Sequence, residues 1–134
     1  MAEPHAPIDI GPHGDTIVRF TDGKVIFLKG ASGDHAYLVK SGKVEIREGG
    51  RALECVGPGG LFGEMAMIDA GPRSASAVSV GQTDLIVLDR PTFDALVRDV
   101  PDFARNVMRM MARRLRATTA DHAPVEDRVS VAGE

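Results

Sequence analysis

FGEMAMIDAGPRSAS, residues 62–76, sets a Gly63-Glu64 pair at one end and an Arg73-Ser74-Ala75 triplet at the other. A guanidinium meets a phosphate through two parallel charge-assisted hydrogen bonds. Backbone N–H groups that follow a glycine and open a helical turn cradle the same anion. Glu64 repels a phosphate, but its carboxylate accepts a hydrogen bond from a sugar hydroxyl. An anion holder beside a hydroxyl acceptor describes a ribose-phosphate site. Each residue also has a plainer role. Arg73, with Phe62, Met65, Met67 and Ile68 before it and Ala77 and Val78 after it, needs an anionic partner. Glu64 can be that partner with no ligand at all. Gly63 can simply turn the chain into a short helix over 64–68. Glu64 can complement that helix's dipole, and Ser74 can be an ordinary strand serine. The ligand reading rests on their joint occurrence.

Outward from this stretch the chain reads as short strands. Asp22-Gly23, Ser41-Gly42, Gly49-Gly50 and Pro58-Gly59 are turn signals. Between them lie β-rich runs at 16–20, 25–28, 36–40, 43–47 and 52–56, followed by 75–80 and 84–88. Lys43-Val44-Glu45-Ile46-Arg47 alternates strictly between polar and apolar, as a strand buried on one face does. Many short, evenly spaced strands predict a sandwich, barrel or jelly roll.

At Pro91 the period changes to that of helices. Pro91 suits a helix start, with Phe93, Leu96 and Val97 at helical spacing, and Pro101 opens a second helix. There Phe103, Val107, Met110, Met111 and Leu115 form an apolar stripe, and Arg105, Arg109, Arg113 and Arg116 a basic one. Residues 119–134 have no period and are expected to be a flexible tail, as residues 1–14 are a flexible lead-in. Residues 15–118 then form one domain.

Composition narrows the function. A chain of 134 residues buries enough surface to fold without disulfide or metal. Its single cysteine, Cys55, has no internal partner, and a cytoplasmic location is expected. A net charge of −3 does not suit a polyanion binder. The run from Arg105 to Arg116 holds five arginines and no acid. It is followed by no helix-turn-helix pattern, so no nucleic-acid partner is expected. There is no apolar run long enough to span a membrane. No nucleophile–base pair or metal-ligand cluster stands out, and His5, His13, His35 and His122 are scattered. The chain is therefore not read as an enzyme.

Phe62-Gly63-Glu64-Met65-Ala66 followed by Pro72-Arg73-Ser74-Ala75-Ser76 resembles the phosphate-binding cassette of cyclic nucleotide-binding domains. These domains occur in cyclic-nucleotide-gated channels, protein kinase A regulatory subunits and bacterial catabolite activators. Gly30, Gly33, Tyr37-Leu38-Val39, Ser41-Gly42-Lys43-Val44, Val56-Gly57-Pro58-Gly59, Pro91, Phe93 and Pro101 extend the likeness over roughly residues 16–116. The resemblance implies a mainly β fold: an antiparallel eight-stranded β-roll, or jelly roll, with a short cassette helix and a C-terminal lid helix. It implies that Arg73 pairs with the cyclic phosphate and Glu64 takes the ribose 2′-hydroxyl. Backbone N–H groups from Gly63 through Met65 to Ala66, and that of Ala75, complete the cradle beside Phe62. Ser74 resembles the position that touches the phosphate or the base edge; serine leaves the choice between cyclic AMP and cyclic GMP open, with cyclic AMP the favoured ligand. Arg113, Arg114, Leu115 and Arg116 are the candidates to cap the base.

The expected function is a stand-alone cyclic nucleotide sensor that responds by closing its last helix and signals to an unidentified protein effector. Two alternatives stand beside it: a ligandless interaction module of the same fold, and the sensor half of a catabolite-activator-type transcription regulator. In the latter, the apolar stripe of the last helix would be a dimer interface. Spacing alone leaves the oligomeric state open.

Overall fold

The computed structural model describes residues 16–69 and 71–122, with side chains as far as residue 116. Six strands make one antiparallel sheet: β1 (Ile17–Phe20), β2 (Val25–Phe27), β3 (His35–Glu48), β4 (Arg51–Val56), β5 (Leu61–Phe62) and β6 (Ser76–Asp89). Their order is β1-β6-β3-β4, with β2 also on β6 and β5 also on β3. The long strands β3 and β6 are the spine, paired from His35 with Asp89 to Arg47 with Ser76.

Each spine strand holds what the sequence reads as two. The runs 36–40 and 43–47 are one 14-residue strand, as are 75–80 and 84–88. Ser41-Gly42 is therefore not a turn. It is a bulge where the β3–β6 register shifts, with Gly42 at φ +87°. A bulge bends a strand without ending it. The buried Thr83 hydroxyl fixes the bend by donating to the Lys43 carbonyl at 3.0 Å. Counting each spine strand twice gives the eight segments of the expected roll. The eighth, β5, has two residues, too few for alternation to register in sequence.

Among the described residues three helices complete the fold: α1 (Met65–Ile68), α2 (Arg90–Asp99) and α3 (Pro101–His122). The Thr92 N–H donates to Asp89 Oδ1 at 2.9 Å, which caps α2, and Pro91 follows in its first turn. Val100 then leaves the helical conformation and Pro101 opens α3. α3 runs past the Thr118 boundary to His122. The lead-in 1–14 and the tail beyond His122 lie outside the described residues.

Two apolar clusters sit on either side of the sheet. Val39, Val44, Val56, Phe62, Ala77 and Leu85 fill the inside of the roll. Ala36, Leu38, Leu61, Met67 and Leu88 meet Phe93 and Leu96 of α2 and Phe103, Val107 and Met110 of α3. Met111 packs at the margin of this second cluster. Leu115, expected in the same stripe, is 67% exposed. The buried positions 103, 107 and 110 are spaced four and three, so the next inward position is 114, not 115.

Candidate functional site

The cassette lies where the two clusters meet. Consecutive residues of a strand point to opposite faces. Leu61 therefore packs toward the helices and Phe62 into the roll. The chain then turns at Gly63, whose φ of +75° a residue with a side chain adopts only under strain. Glu64 follows as the residue that opens α1, and its side chain makes no capping hydrogen bond. That carboxylate is 2% exposed and is free to face the site.

Arg73 enters from the other side, and its backbone is held at both ends. Its N–H donates to the Ala31 carbonyl at 2.8 Å, and its carbonyl accepts from Gly30 at 2.8 Å. Arg73 as a whole is 7% exposed. Nη1 donates to the Gly63 carbonyl at 2.9 Å and Nη2 to the His35 carbonyl at 2.8 Å. Cζ stands 4.1 Å from the centroid of the Phe27 ring, which packs with Tyr37 and Phe62. A Cβ at Gly33 would lie 2.4 Å from Arg73 Nε, so the absent side chain at Gly33 makes room for the guanidinium.

The ligand-free ion pair between Arg73 and Glu64 is not formed. Arg73 is held by neutral carbonyls, and burial lowers its pKa against the opposing pull of Tyr37, Asp34 and Glu64. Nε has no hydrogen-bond partner among the described residues. The partner of Glu64 is Arg114 of α3, whose Nη1 donates to Glu64 Oε2 at 2.8 Å. Glu64 Oε1 is also buried without a hydrogen-bond partner among the described residues.

Arg114 is drawn in by three groups. Nη2 donates to the Leu61 carbonyl at 2.7 Å. Nε lies 2.8 Å from Glu54 Oε1, an ion pair whose direction is off the N–H axis. Burial pulls the Arg114 pKa down, but Glu64 and Glu54 outweigh it and the net shift is upward. The other lid candidates, Arg113, Leu115 and Arg116, are exposed, so only Arg114 of the four meets the cassette. Ser74 and Met65 are exposed, while Phe62, Ala66 and Ala75 are buried. The Glu64 carbonyl accepts from the Met67 N–H at 2.9 Å. The N–H groups of 64–66 are those a first helical turn leaves without an intrahelical acceptor.

Sequence reasoning missed Glu54. It lies on β4 two residues before Val56, whose side chain is in the roll core, and so shares its inward face. A carboxylate at an inward position of a strand is the signal that points to it.

The family model described as "Cyclic nucleotide-binding domain" matches residues 17–99. The chain belongs to that family. It is 48% identical, over 72% of its length, to the cyclic AMP receptor protein of Thermus thermophilus, of which it covers 47%. It is 39% identical, over 58% of its length, to a cAMP-dependent protein kinase regulatory subunit of Yarrowia lipolytica, of which it covers 20%. The solved catabolite activator protein of Thermus thermophilus superposes with a TM-score of 0.71 at 44% identity, covering 79% of this chain and 52% of that one. The chain thus spans less than half the length of the two curated relatives named here. These relatives are receptors and regulatory subunits. Among the described residues no helix is long and apolar enough to cross a membrane.

Proposed function

We propose that this member of the cyclic nucleotide-binding family is a sensor whose cassette binds cyclic AMP, or cyclic GMP. Arg73 takes the cyclic phosphate and Glu64 the ribose 2′-hydroxyl. The N–H groups from Gly63 through Met65 to Ala66, and that of Ala75, complete the cradle beside Phe62, with Ser74 at its rim. The observation that carries this reading is that two of the three buried side-chain atoms without hydrogen bonds among the described residues are Arg73 Nε and Glu64 Oε1, the third being Arg114 Nε beside Glu54. An unsatisfied buried polar atom costs about 1–3 kcal/mol, more when charged. A ligand that brings an anion and a hydroxyl offsets both costs at once.

The ligand's hydroxyl would join a carboxylate that already holds Arg114. Binding is thereby linked to α3, whose turns beyond Met111 close over the base and present a new face to a protein effector. Cyclic AMP is favoured over cyclic GMP because two of the similar proteins named above are a cyclic AMP receptor protein and a cAMP-dependent kinase subunit. The reading takes residues 15–118 as the sensing domain, without catalytic activity. It sets the protein in the cytoplasm, in keeping with an unpaired, exposed Cys55. Titration with each nucleotide, following the amide resonances of residues 63–75, is the test. Shifts with cyclic AMP at micromolar concentration are expected. Silence with both nucleotides leaves the ligandless module.

A second reading makes the chain the sensor half of a longer regulator. It is favoured by Met108 and Leu115, 64% and 67% exposed and seven residues apart on one face of α3. Sedimentation with and without nucleotide tests it: a monomer in both states removes the dimer interface this reading requires.

A further inference from the structure

We infer that Glu54 is a positioning residue for the sugar-binding carboxylate. This rests on the reading that Glu64 accepts the ribose hydroxyl. Three groups fix the Arg114 guanidinium: Glu64 Oε2, the Leu61 carbonyl and Glu54 Oε1. Two of them, Leu61 and Glu64, flank the Gly63 turn, with Leu61 paired to Leu38 of β3. Glu54 is anchored elsewhere, on β4, where it stands opposite Ile46 of β3. It is the member of the set that reaches Arg114 from outside the cassette and its approach.

The division of labour on Glu64 follows from that tie. Arg114 engages Oε2 and leaves Oε1 open. Were the guanidinium free to swing toward Glu64, it could form a fork over both oxygens, the geometry arginine favours with a carboxylate. That would fill the acceptor the hydroxyl needs. Glu54 holds Nε from the opposite side and keeps the pair single-toothed. Its substitution by glutamine keeps the shape of the side chain and removes the charge that holds Nε.

The experiment is calorimetric titration of the full chain with cyclic AMP and with its 2′-deoxy analogue, in wild type and Glu54→Gln. A charged hydrogen bond is worth roughly ten- to hundredfold in affinity, so the wild type is expected to prefer cyclic AMP by about that ratio. In Glu54→Gln the ratio falls roughly fivefold or more, while binding of the 2′-deoxy analogue, which depends on Arg73, stays near wild type. In an Arg114→Ala background, Glu54→Gln leaves the ratio unchanged, because Glu54 acts through Arg114. A wild-type ratio in Glu54→Gln, or an equal fall in both backgrounds, overturns the inference and leaves the ligand reading standing. Wild-type protein that binds neither nucleotide overturns the ligand reading and this inference together.

Discussion

Replacement of Arg73 by alanine separates binding from folding, because opposing terms act on stability but only one acts on affinity. In the ligand-free protein the guanidinium spends two of its five N–H bonds on the Gly63 and His35 carbonyls. Alanine strips both carbonyls of their donor, a loss of about 1–3 kcal/mol each. It also removes a buried cation with no salt-bridge partner, whose desolvation is unfavourable by a comparable amount. The two terms oppose each other, so the melting temperature should move little. Binding has no such offset. Nε and one unused Nη proton can form the parallel pair to a phosphate. Two charged bonds at about 1.5–3 kcal/mol each total about 3–6 kcal/mol. Against the about 8 kcal/mol of a micromolar complex, that is a loss of roughly a hundredfold or more.

Calorimetry for affinity and circular dichroism for the fold read the two effects apart. Arg73→Lys sharpens the result: it keeps the charge but cannot reproduce the fork, so it should fall close to alanine in affinity. Wild-type affinity in Arg73→Ala, with the fold intact, refutes the assignment of Arg73 to the phosphate. Recovery of most affinity by lysine refutes the bidentate geometry and leaves a simple charge effect.

Gly33→Ala should weaken cyclic AMP binding at least about tenfold with little change in melting, because its Cβ displaces the Arg73 guanidinium; unchanged affinity in calorimetry would show that the guanidinium yields without loss. Phe103→Ala removes a fully buried ring packed edge-on to Phe93 at 5.4 Å and should cost about 3–5 kcal/mol in urea unfolding, whereas Leu115→Ala should stay within about 0.5 kcal/mol; equal effects would contradict the end of the core at Met111. Asp89 is held below its ordinary carboxylate pKa by its hydrogen bond from Thr92. Its contribution is present above the unfolded value of about 3.9 and is lost as pH falls through the lower folded value. Melting curves of wild type and Asp89→Asn should therefore differ at pH 7 and converge in acid. A constant gap down to pH 2 would remove Asp89 as the ionised cap.

The strands and helix starts were legible because each is a local pattern. Lys43 to Arg47 alternates within five residues, and Pro91 and Pro101 act on their own turns. The glycine and arginine of the cassette were legible as a pair because they close one short segment. The rest required the third dimension. Ser41-Gly42 has the composition of a turn, and only the pairing of β3 with β6 on both sides makes it a bulge. Glu64 offered Arg73 as its nearest cation in sequence, yet its partner is Arg114, brought in by the packing of α3 on the sheet. The apolar stripe counted Leu115 inward because hydrophobicity was the criterion. The four-three-four spacing of 103, 107, 110 and 114 is the better guide, since a buried position opposite a carboxylate selects a cation.

That substitution of an arginine for an apolar residue at the end of the stripe bears on how the fold communicates. Up to Met110, α3 is bound by dispersion and burial, which are insensitive to a charged ligand. At Arg114 its attachment becomes electrostatic, and the anchoring carboxylate, Glu64, opens the cassette itself. Leu61 and Phe62 commit adjacent residues to the two cores, so the turn at Gly63 has little freedom to move as a body. A ligand at the cassette can therefore act on α3 chiefly through the charge and hydrogen bonding of Glu64. In the proposed sensor the signal would leave where apolar packing ends, through the stretch of α3 that Arg114 ties to Glu64.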